Sequence, residues 1–300
     1  MKLHYYNITY KCNSNCMFCA ADHPLRLDKR EISFVEFERS LTNSQVQKGD
    51  RIVINGGEPT LHREFFDILR TIKERGAYID LFTNGIKFSD KQFTNEVLSY
   101  APMYIRIPLF GSTPSLHDSL TGQKGNFDRV CAGLTNIHTA MNLKIYLEIK
   151  FLLSKATVKE NLKIFRLANE HWKGKNVLVS LNPLLISESV KENSDIFFDS
   201  YTELMKQSEN LVAEIACSGW HFSLDLIPFC AFPQKSYVRY SHSTHMPKES
   251  RYSDPSSSLI INEMSGREKC LQCIFVNSCS GFPSSYISYY GDSEINPITA

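Results

Sequence analysis

Short apolar runs alternate with amphipathic stretches through the first two-thirds of the chain. Clustered apolar and β-branched positions predict strands at residues 4–9, 51–55, 78–82, 103–108, 144–152 and 177–181. Helical spacing fills the intervals. Ser33-Phe34-Val35-Glu36 has the form of a capping box and opens a helix with Phe34, Phe37 and Leu41 on one face. Residues 63–75 place Phe66, Leu69 and Ile72 at helical intervals and stop at Gly76, a natural helix terminator. Residues 127–141 carry Val130, Leu134 and Ile137, residues 157–170 carry Val158, Leu162 and Phe165, and a further helix is expected over 195–210.

Strands that alternate with helices imply a parallel sheet joined by right-handed crossovers. Periodicity alone leaves open whether that sheet is doubly wound or curled into a partial barrel. After about residue 212 the pattern changes. Residues 222–229 read as one more strand. Residues 234–258 are rich in Ser, His, Pro and Tyr without a period, as expected of a functional loop, a lid or an insert. The last forty residues are cysteine-rich and show no helical pattern, so they are expected to form a small second unit. The division expected is 1–212 for the α/β core and 213–300 for the extension.

Composition narrows the function classes. With 42% hydrophobic and 22% charged residues, 300 residues suffice for a sizeable soluble core. Lys and Arg total 33 against 32 Asp and Glu, which argues against a nucleic-acid-coating surface or a polybasic membrane anchor. No apolar run approaches the ~18 residues of a membrane span, and the N-terminus is not a signal peptide. A cytoplasmic protein is expected, with neither a nucleic-acid nor a membrane partner. Nine cysteines are then conspicuous, because a reducing compartment gives thiols no structural use as disulfides.

Three of them, Cys12, Cys16 and Cys19, form a C-x3-C-x2-C run directly after the first predicted strand. Thiolates so close in sequence can converge on one iron–sulfur cube and leave its fourth iron open to a substrate. A zinc site short of one ligand, or three ordinary thiols, are the plainer alternatives.

The C-x3-C-x-Phe-C run resembles the signature of the radical S-adenosylmethionine (SAM) superfamily. Further features match in order: Asn55-Gly56-Gly57-Glu58-Pro59 after strand two, Thr83-Asn84-Gly85 after strand three, and His117-Asp118, Leu120-Thr121-Gly122 and Gly125-Asn126-Phe127 after strand four. The resemblance covers roughly residues 4–210. It implies a partial (β/α)6 TIM-like barrel with a [4Fe-4S] cluster on Cys12, Cys16 and Cys19. It also implies SAM, held there and cleaved reductively to a 5′-deoxyadenosyl radical. By that resemblance Gly56, Gly57 and Glu58 face the methionine amino group of SAM, Asn84 is a further SAM-binding residue, and Phe18 packs near the adenine. Locally, Gly56 and Gly57 permit close backbone approach, and Glu58 is an acceptor suited to an ammonium group. Taken alone, Gly-Gly-Glu-Pro is simply a turn, and Phe18 a core aromatic. The chain departs from the family at the end of strand four, where Pro108 and Phe110 replace small polar residues. Ser112, or Glu148 and Lys150 on strand five, are then expected to contact the ribose.

Cys270, Cys273 and Cys279 form C-x2-C-x5-C, and Cys230 is a plausible fourth ligand from a strand end. Four thiolates close a site completely, which suits structural zinc or a second [4Fe-4S] cluster. In the radical SAM setting the spacing resembles the auxiliary-cluster extensions called SPASM and twitch, although Pro283 stands where SPASM has a further cysteine. Cys131 is expected to be a packed thiol. Cys217 is expected to be inert, a spare ligand or a hydrogen-atom donor. His242 and His245 are read as loop histidines.

The resemblance implies an enzyme that takes an electron from a flavodoxin- or ferredoxin-like protein and abstracts hydrogen from its substrate. A ribosomally made peptide or a protein side chain is the expected substrate. Because the sequence starts almost at its first strand, a separate peptide-recognition protein is also expected. A small-molecule substrate is the alternative, and a non-catalytic iron–sulfur or zinc protein is the alternative of another class.

Overall fold

Seven strands lie side by side in chain order, which is the arrangement that turns a parallel sheet into a barrel wall. In this computed structural model, which describes residues 1–19, 29–186, 188–234, 251–252, 264–265, 268–279 and 281–299, they are β1 (Leu3–Thr9), β2 (Arg51–Gly56), β3 (Tyr78–Phe82), β4 (Tyr104–Pro108), β5 (Tyr146–Leu153), β6 (Val177–Pro183) and β7 (His221–Leu224). A two-residue strand, β8 (Arg251–Tyr252), joins the free edge of β1, giving the order β7-β6-β5-β4-β3-β2-β1-β8 with every pairing parallel. Each crossover from β1 to β7 moves one place in the same direction. Right-handed crossovers of that kind put the helices on one face and leave the other as an interior. The question left open by periodicity is thereby resolved in favour of a partial barrel.

Strand alternation separates the two faces. Ile52 and Ile54, Ile79 and Leu81, Ile105 and Ile107, and Leu147, Ile149 and Phe151 all belong to one apolar cluster with the helices. The helices are α1 (Phe34–Asn43), α2 (Phe65–Glu74), α3 (Lys91–Ser99), α4 (Pro114–Thr121), α5 (Asn126–Ala140), α6 (Asn161–His171), α7 (Glu188–Lys191), α8 (Ser194–Phe197), α9 (Tyr201–Gln207), α10 (Glu209–Ser218) and α11 (Ser284–Tyr290). Phe37 and Leu41 of α1, Leu69 and Ile72 of α2, and Leu134 and Ile137 of α5 are buried in that cluster. Each such side chain contributes about 1.5–3 kcal/mol by leaving water. The capping box is formed: Glu36 N–H donates to Ser33 Oγ at 3.3 Å, and Ser33 N–H to Glu36 Oε2 at 2.7 Å.

Several elements differ from the sequence reading. Helix α3 is absent from the predicted set; it is opened by Asp90, which accepts from Gln92 and Phe93 N–H. The single helix expected over 195–210 is three, α8 to α10. Ser200, in extended backbone, restarts the chain as the N-cap of α9. The strand expected over 222–229 ends at Leu224, and a short 3-10 turn follows at Phe229–Ala231. The tail, expected to lack a helix, contains α11, whose Tyr286 is buried in the main core. Residues 234–258, with His242 and His245, lie outside the described residues apart from Gln234 and β8. No helix among the described residues is long and apolar enough to cross a membrane.

Candidate functional site

The cysteine run leaves the C-terminal end of β1, the end at which parallel α/β folds gather their ligands. Its root is pinned to the loop after β2, where Gly57 N–H donates to Thr9 O and Glu58 N–H to Lys11 O, both at 2.7 Å. These contacts explain the two glycines. A Cβ on Gly57 would fall 2.5 Å from Lys11 O, and one on Gly56, at φ +139°, would fall 2.2 Å from Thr9 O. The rest of the run rests on the loops after β3 and β4. Asn84 Nδ2 donates to Asn13 Oδ1 at 2.7 Å, Asn15 N–H to Thr121 O at 2.9 Å and Met17 N–H to Leu120 O at 3.1 Å. Asn126 Nδ2 donates to Ser14 Oγ at 3.1 Å. Gly122 sits against the same run, at φ +65°, with Asn15 O where a Cβ would be.

The four sequence motifs are thus one construction. Asp118 holds the last of them: it accepts Gly125 N–H at 2.6 Å and Phe127 N–H at 2.8 Å at the start of α5. Those hydrogen bonds, joined by the nearby His117, outweigh burial and draw the Asp118 carboxyl below its ordinary range.

Glu58 is fully buried. Its Oε1 accepts from Thr60 Oγ1 at 2.6 Å, Thr60 N–H at 3.1 Å and Thr83 Oγ1 at 2.7 Å, and its Oε2 from Asn84 N–H at 2.7 Å. Burial raises its pKa against these donors. The carboxylate ties the two loops together through three hydrogen bonds to Oε1 and one to Oε2.

Phe18 is buried against Phe110, with ring centroids 4.7 Å apart, and against Phe197 at 5.6 Å. Ser112 donates to Glu160 Oε2 at 2.9 Å. Lys150 Nζ donates to Glu148 Oε1 at 3.1 Å and to Asn182 Oδ1 at 2.8 Å. Lys150 closes a ladder of charges on the inner face that the sequence reading missed. Arg51 of β2 donates to Asp80 of β3, Arg106 of β4 grips Asp80 through Nε at 2.7 Å and Nη2 at 3.0 Å, and Arg106 Nη1 donates to Glu148 of β5. Burial lifts the Glu148 carboxyl, but Lys150 and Arg106, with Ser180, bring it down to about 2. The signal available in sequence was a charged residue in the middle of each apolar strand: Asp80, Arg106, Glu148.

The second cysteine set converges. Cys230, Cys270, Cys273 and Cys279 line one pocket with Pro228, Phe229, Val276, Phe282 and Pro297. Burial pushes the Cys230 thiol up to about 11, with further raising from Cys279 and Cys270. Among the described residues no three His, Cys, Asp or Glu side chains meet at a single-ion site. Four thiols that line one pocket suit a structural zinc or a second [4Fe-4S] cluster. Cys217 is exposed on α10 and is not among the residues lining that pocket. Cys131 packs against the core, and burial raises its thiol to about 12.

Comparison with known proteins agrees with this geometry. The chain is 26% identical over 166 residues to Fe-coproporphyrin III synthase of Methanosarcina barkeri, a stretch covering 55% of this chain and 40% of that protein. It is 26% identical over 125 residues to PqqA peptide cyclase of Ruegeria pomeroyi, covering 42% and 33%. The chain therefore spans well under two-thirds of the length of these curated relatives. Among solved structures, SuiB of Streptococcus suis bound to precursor peptide SuiA superposes with a TM-score of 0.62 at 18% identity, covering 82% of this chain and 54% of that one. Residues 6–149 match the family described as the Radical SAM superfamily. With the cysteine run, its three bracing loops and the partial barrel all inside or beside that stretch, the chain carries a radical SAM domain.

Proposed function

We propose that this protein is a radical SAM enzyme that modifies a ribosomally made peptide or a protein side chain. The observation that carries the reading is the cysteine run at the mouth of the barrel, braced on three sides by the loops after β2, β3 and β4. Cys12, Cys16 and Cys19 are exposed or half-buried, as ligands to a group that must meet a substrate need to be. When bound there, a [4Fe-4S] cluster supplies the electron that splits SAM into methionine and a 5′-deoxyadenosyl radical, which takes hydrogen from the substrate. The chain's own part is to orient and to exclude water. Phe18, Phe110 and Phe197 form an apolar wall beside the cysteines, and Lys150 presents its ammonium from the inner face of β5. Gly56 and Gly57 bring the loop backbone close to the same site, leaving carbonyl groups to accept from an amino group.

Cys230, Cys270, Cys273 and Cys279 are proposed to hold a second [4Fe-4S] cluster; their shared pocket supports this. A flavodoxin- or ferredoxin-like donor and a separate peptide-recognition protein complete the proposed system. PqqA peptide cyclase among the relatives favours a peptide substrate, whereas Fe-coproporphyrin III synthase favours a small molecule. Nine cysteines, seven of them proposed as cluster ligands, suit the reducing cytoplasm. Anaerobic reconstitution with dithionite and SAM should yield 5′-deoxyadenosine, and replacing Cys12, Cys16 and Cys19 by Ala should abolish it. A fully iron-loaded protein that forms none would sink the enzymatic reading.

A further inference from the structure

The loop that carries Cys12, Cys16 and Cys19 leaves β1 at Thr9 and returns against it at Glu31. Its two arms are zipped at the base. Tyr10 N–H donates to Arg30 O at 2.7 Å, Ile32 N–H donates to Ile8 O at 3.1 Å, and Thr9 and Glu31 form an antiparallel bridge. The Glu31 carboxylate is buried there, with 5% of its side chain exposed. Oε2 accepts from Lys11 Nζ at 3.2 Å and from Thr9 Oγ1 at 3.4 Å, and Oε1 accepts from Arg63 Nε at 3.2 Å. Lys11 is the residue before Cys12, and its own N–H donates to Thr9 Oγ1 at 3.2 Å. Arg63 stands in the loop after β2, beyond Glu58. A buried carboxylate costs free energy unless its partners are well placed. Its two cations need it less: Lys11 and Arg63 are 43% and 69% exposed, and water would hydrate both without it. What the contacts fix is the geometry of the three chain segments they join.

We infer that Glu31 is a positioning residue of the first cysteine site, a clasp that holds the loop in ligating form. The inference rests on the reading of Cys12, Cys16 and Cys19 as cluster ligands. Glu31 acts through Lys11 and Thr9 on the arm that leads into Cys12. Through Arg63 it acts on the loop after β2, which braces that same arm by the hydrogen bonds of Gly57 and Glu58. A loop already closed at its base has fewer conformations to lose when its thiolates converge on a cluster. The clasp therefore slows departure of the iron without being a ligand to it. Loss of one cation from the clasp weakens it, and loss of the carboxylate opens it.

The test compares Glu31→Gln, Lys11→Met, Lys11→Arg and Arg63→Met in the full chain with wild type, each reconstituted anaerobically with iron and sulfide. After reduction by dithionite, the cluster at Cys12, Cys16 and Cys19 is identified by the change of its electron paramagnetic resonance signal on adding SAM. Its loss is then followed after addition of the iron chelator bathophenanthroline disulfonate. The signal should decay about tenfold faster in Glu31→Gln, equivalent to 1.36 kcal/mol on the barrier, and by a smaller factor in Lys11→Met and Arg63→Met. Lys11→Arg, which keeps the cation, should decay at the wild-type rate. Urea unfolding of the apoproteins separates positioning from stability: Arg63→Met should keep the wild-type midpoint while losing its signal faster. Wild-type decay in both Glu31→Gln and Arg63→Met would overturn the clasp, as would faster decay that only tracks a lowered midpoint. Arg63→Met alone decides the matter if Glu31→Gln does not fold, since its side chain lies mostly in solvent. A wild-type protein that binds iron but shows no SAM-responsive signal would overturn the reading of the first cysteine site, and the clasp with it.

Discussion

The Glu58 carboxylate and the Asn84 backbone N–H meet at 2.7 Å and join the loop after β2 to the loop after β3. Because Thr60 and Thr83 fill the other oxygen, Glu58 acts as a clamp between two loops that both touch the cysteine run. Glu58→Ala would leave buried donors without an acceptor and should cost roughly 2–4 kcal/mol. Glu58→Gln retains one acceptor oxygen but turns an amide toward a donor, at about 1–3 kcal/mol. Urea unfolding of the apoprotein gives these values. A Glu58→Gln variant with wild-type stability and weakened SAM binding would instead show that the carboxylate contacts the ligand.

Gly57 faces a stricter limit. Its missing Cβ is replaced by Lys11 O at 2.5 Å and Tyr10 O at 2.8 Å, both backbone atoms that cannot rotate away. Gly57→Ala must displace the root of the cysteine run or the loop after β2, at roughly 1–3 kcal/mol. Iron bound at Cys12, Cys16 and Cys19 after reconstitution should fall, read as the loss of iron relative to wild type. Iron content equal to that of wild type would show that the root yields without moving its cysteines.

How legible this was in sequence depended on range. The strands and the capping box at Ser33 were visible because period and local side-chain chemistry decide them. The motifs at Gly56 and Asn84 were visible at strand ends, and that at Asp118 in the stretch that follows β4. Their mutual contacts were not: only the fold shows Thr60, Thr83 and Asn84 converging on Glu58. Ser112 likewise is turned to Glu160, a residue 48 positions away. Helix α11 was hidden because its face is made of tyrosines, Tyr286 and Tyr290, which score as amphipathic rather than apolar. Pairings between Asp80, Arg106 and Glu148 depend on strand register, which no single segment encodes.

That charge ladder makes Arg106 a sensitive position. Its guanidinium is shared by two buried carboxylates, Asp80 and Glu148, and although burial works against the charge, those carboxylates raise its pKa. Arg106→Met would take from the buried Asp80 and Glu148 carboxylates a cation they share, leaving each with one cationic partner, at about 3–5 kcal/mol. Removing Glu148 as well, in Arg106→Met/Glu148→Met, would eliminate one of those carboxylates and should recover part of that loss. Denaturant unfolding at neutral pH measures both. A double variant less stable than Arg106→Met alone would show that Lys150, left without Glu148, outweighs the relieved repulsion.

His117 gives the fold a dependence on acid. The ring is buried, its Nδ1 accepts Phe110 N–H at 3.3 Å, and it packs on Phe110 and Phe127 at 5.7 and 5.9 Å. Accepting that hydrogen bond requires a neutral Nδ1. Burial lowers its pKa from 6.5 to about 4, with Asp118 opposing only in part. Between those two values the unfolded chain binds a proton that the folded chain does not, so stability rises with pH across the window. The contribution is present in full above about 6.5 and is lost as pH falls toward 4, on the order of 3 kcal/mol. Urea unfolding of the apoprotein at intervals from pH 7 to pH 4.5 should show this slope. His117→Asn, which does not titrate, should be less stable at pH 7 but flatter in that range. A variant whose slope matches wild type would assign the acid sensitivity to another group and leave His117 a packing residue only.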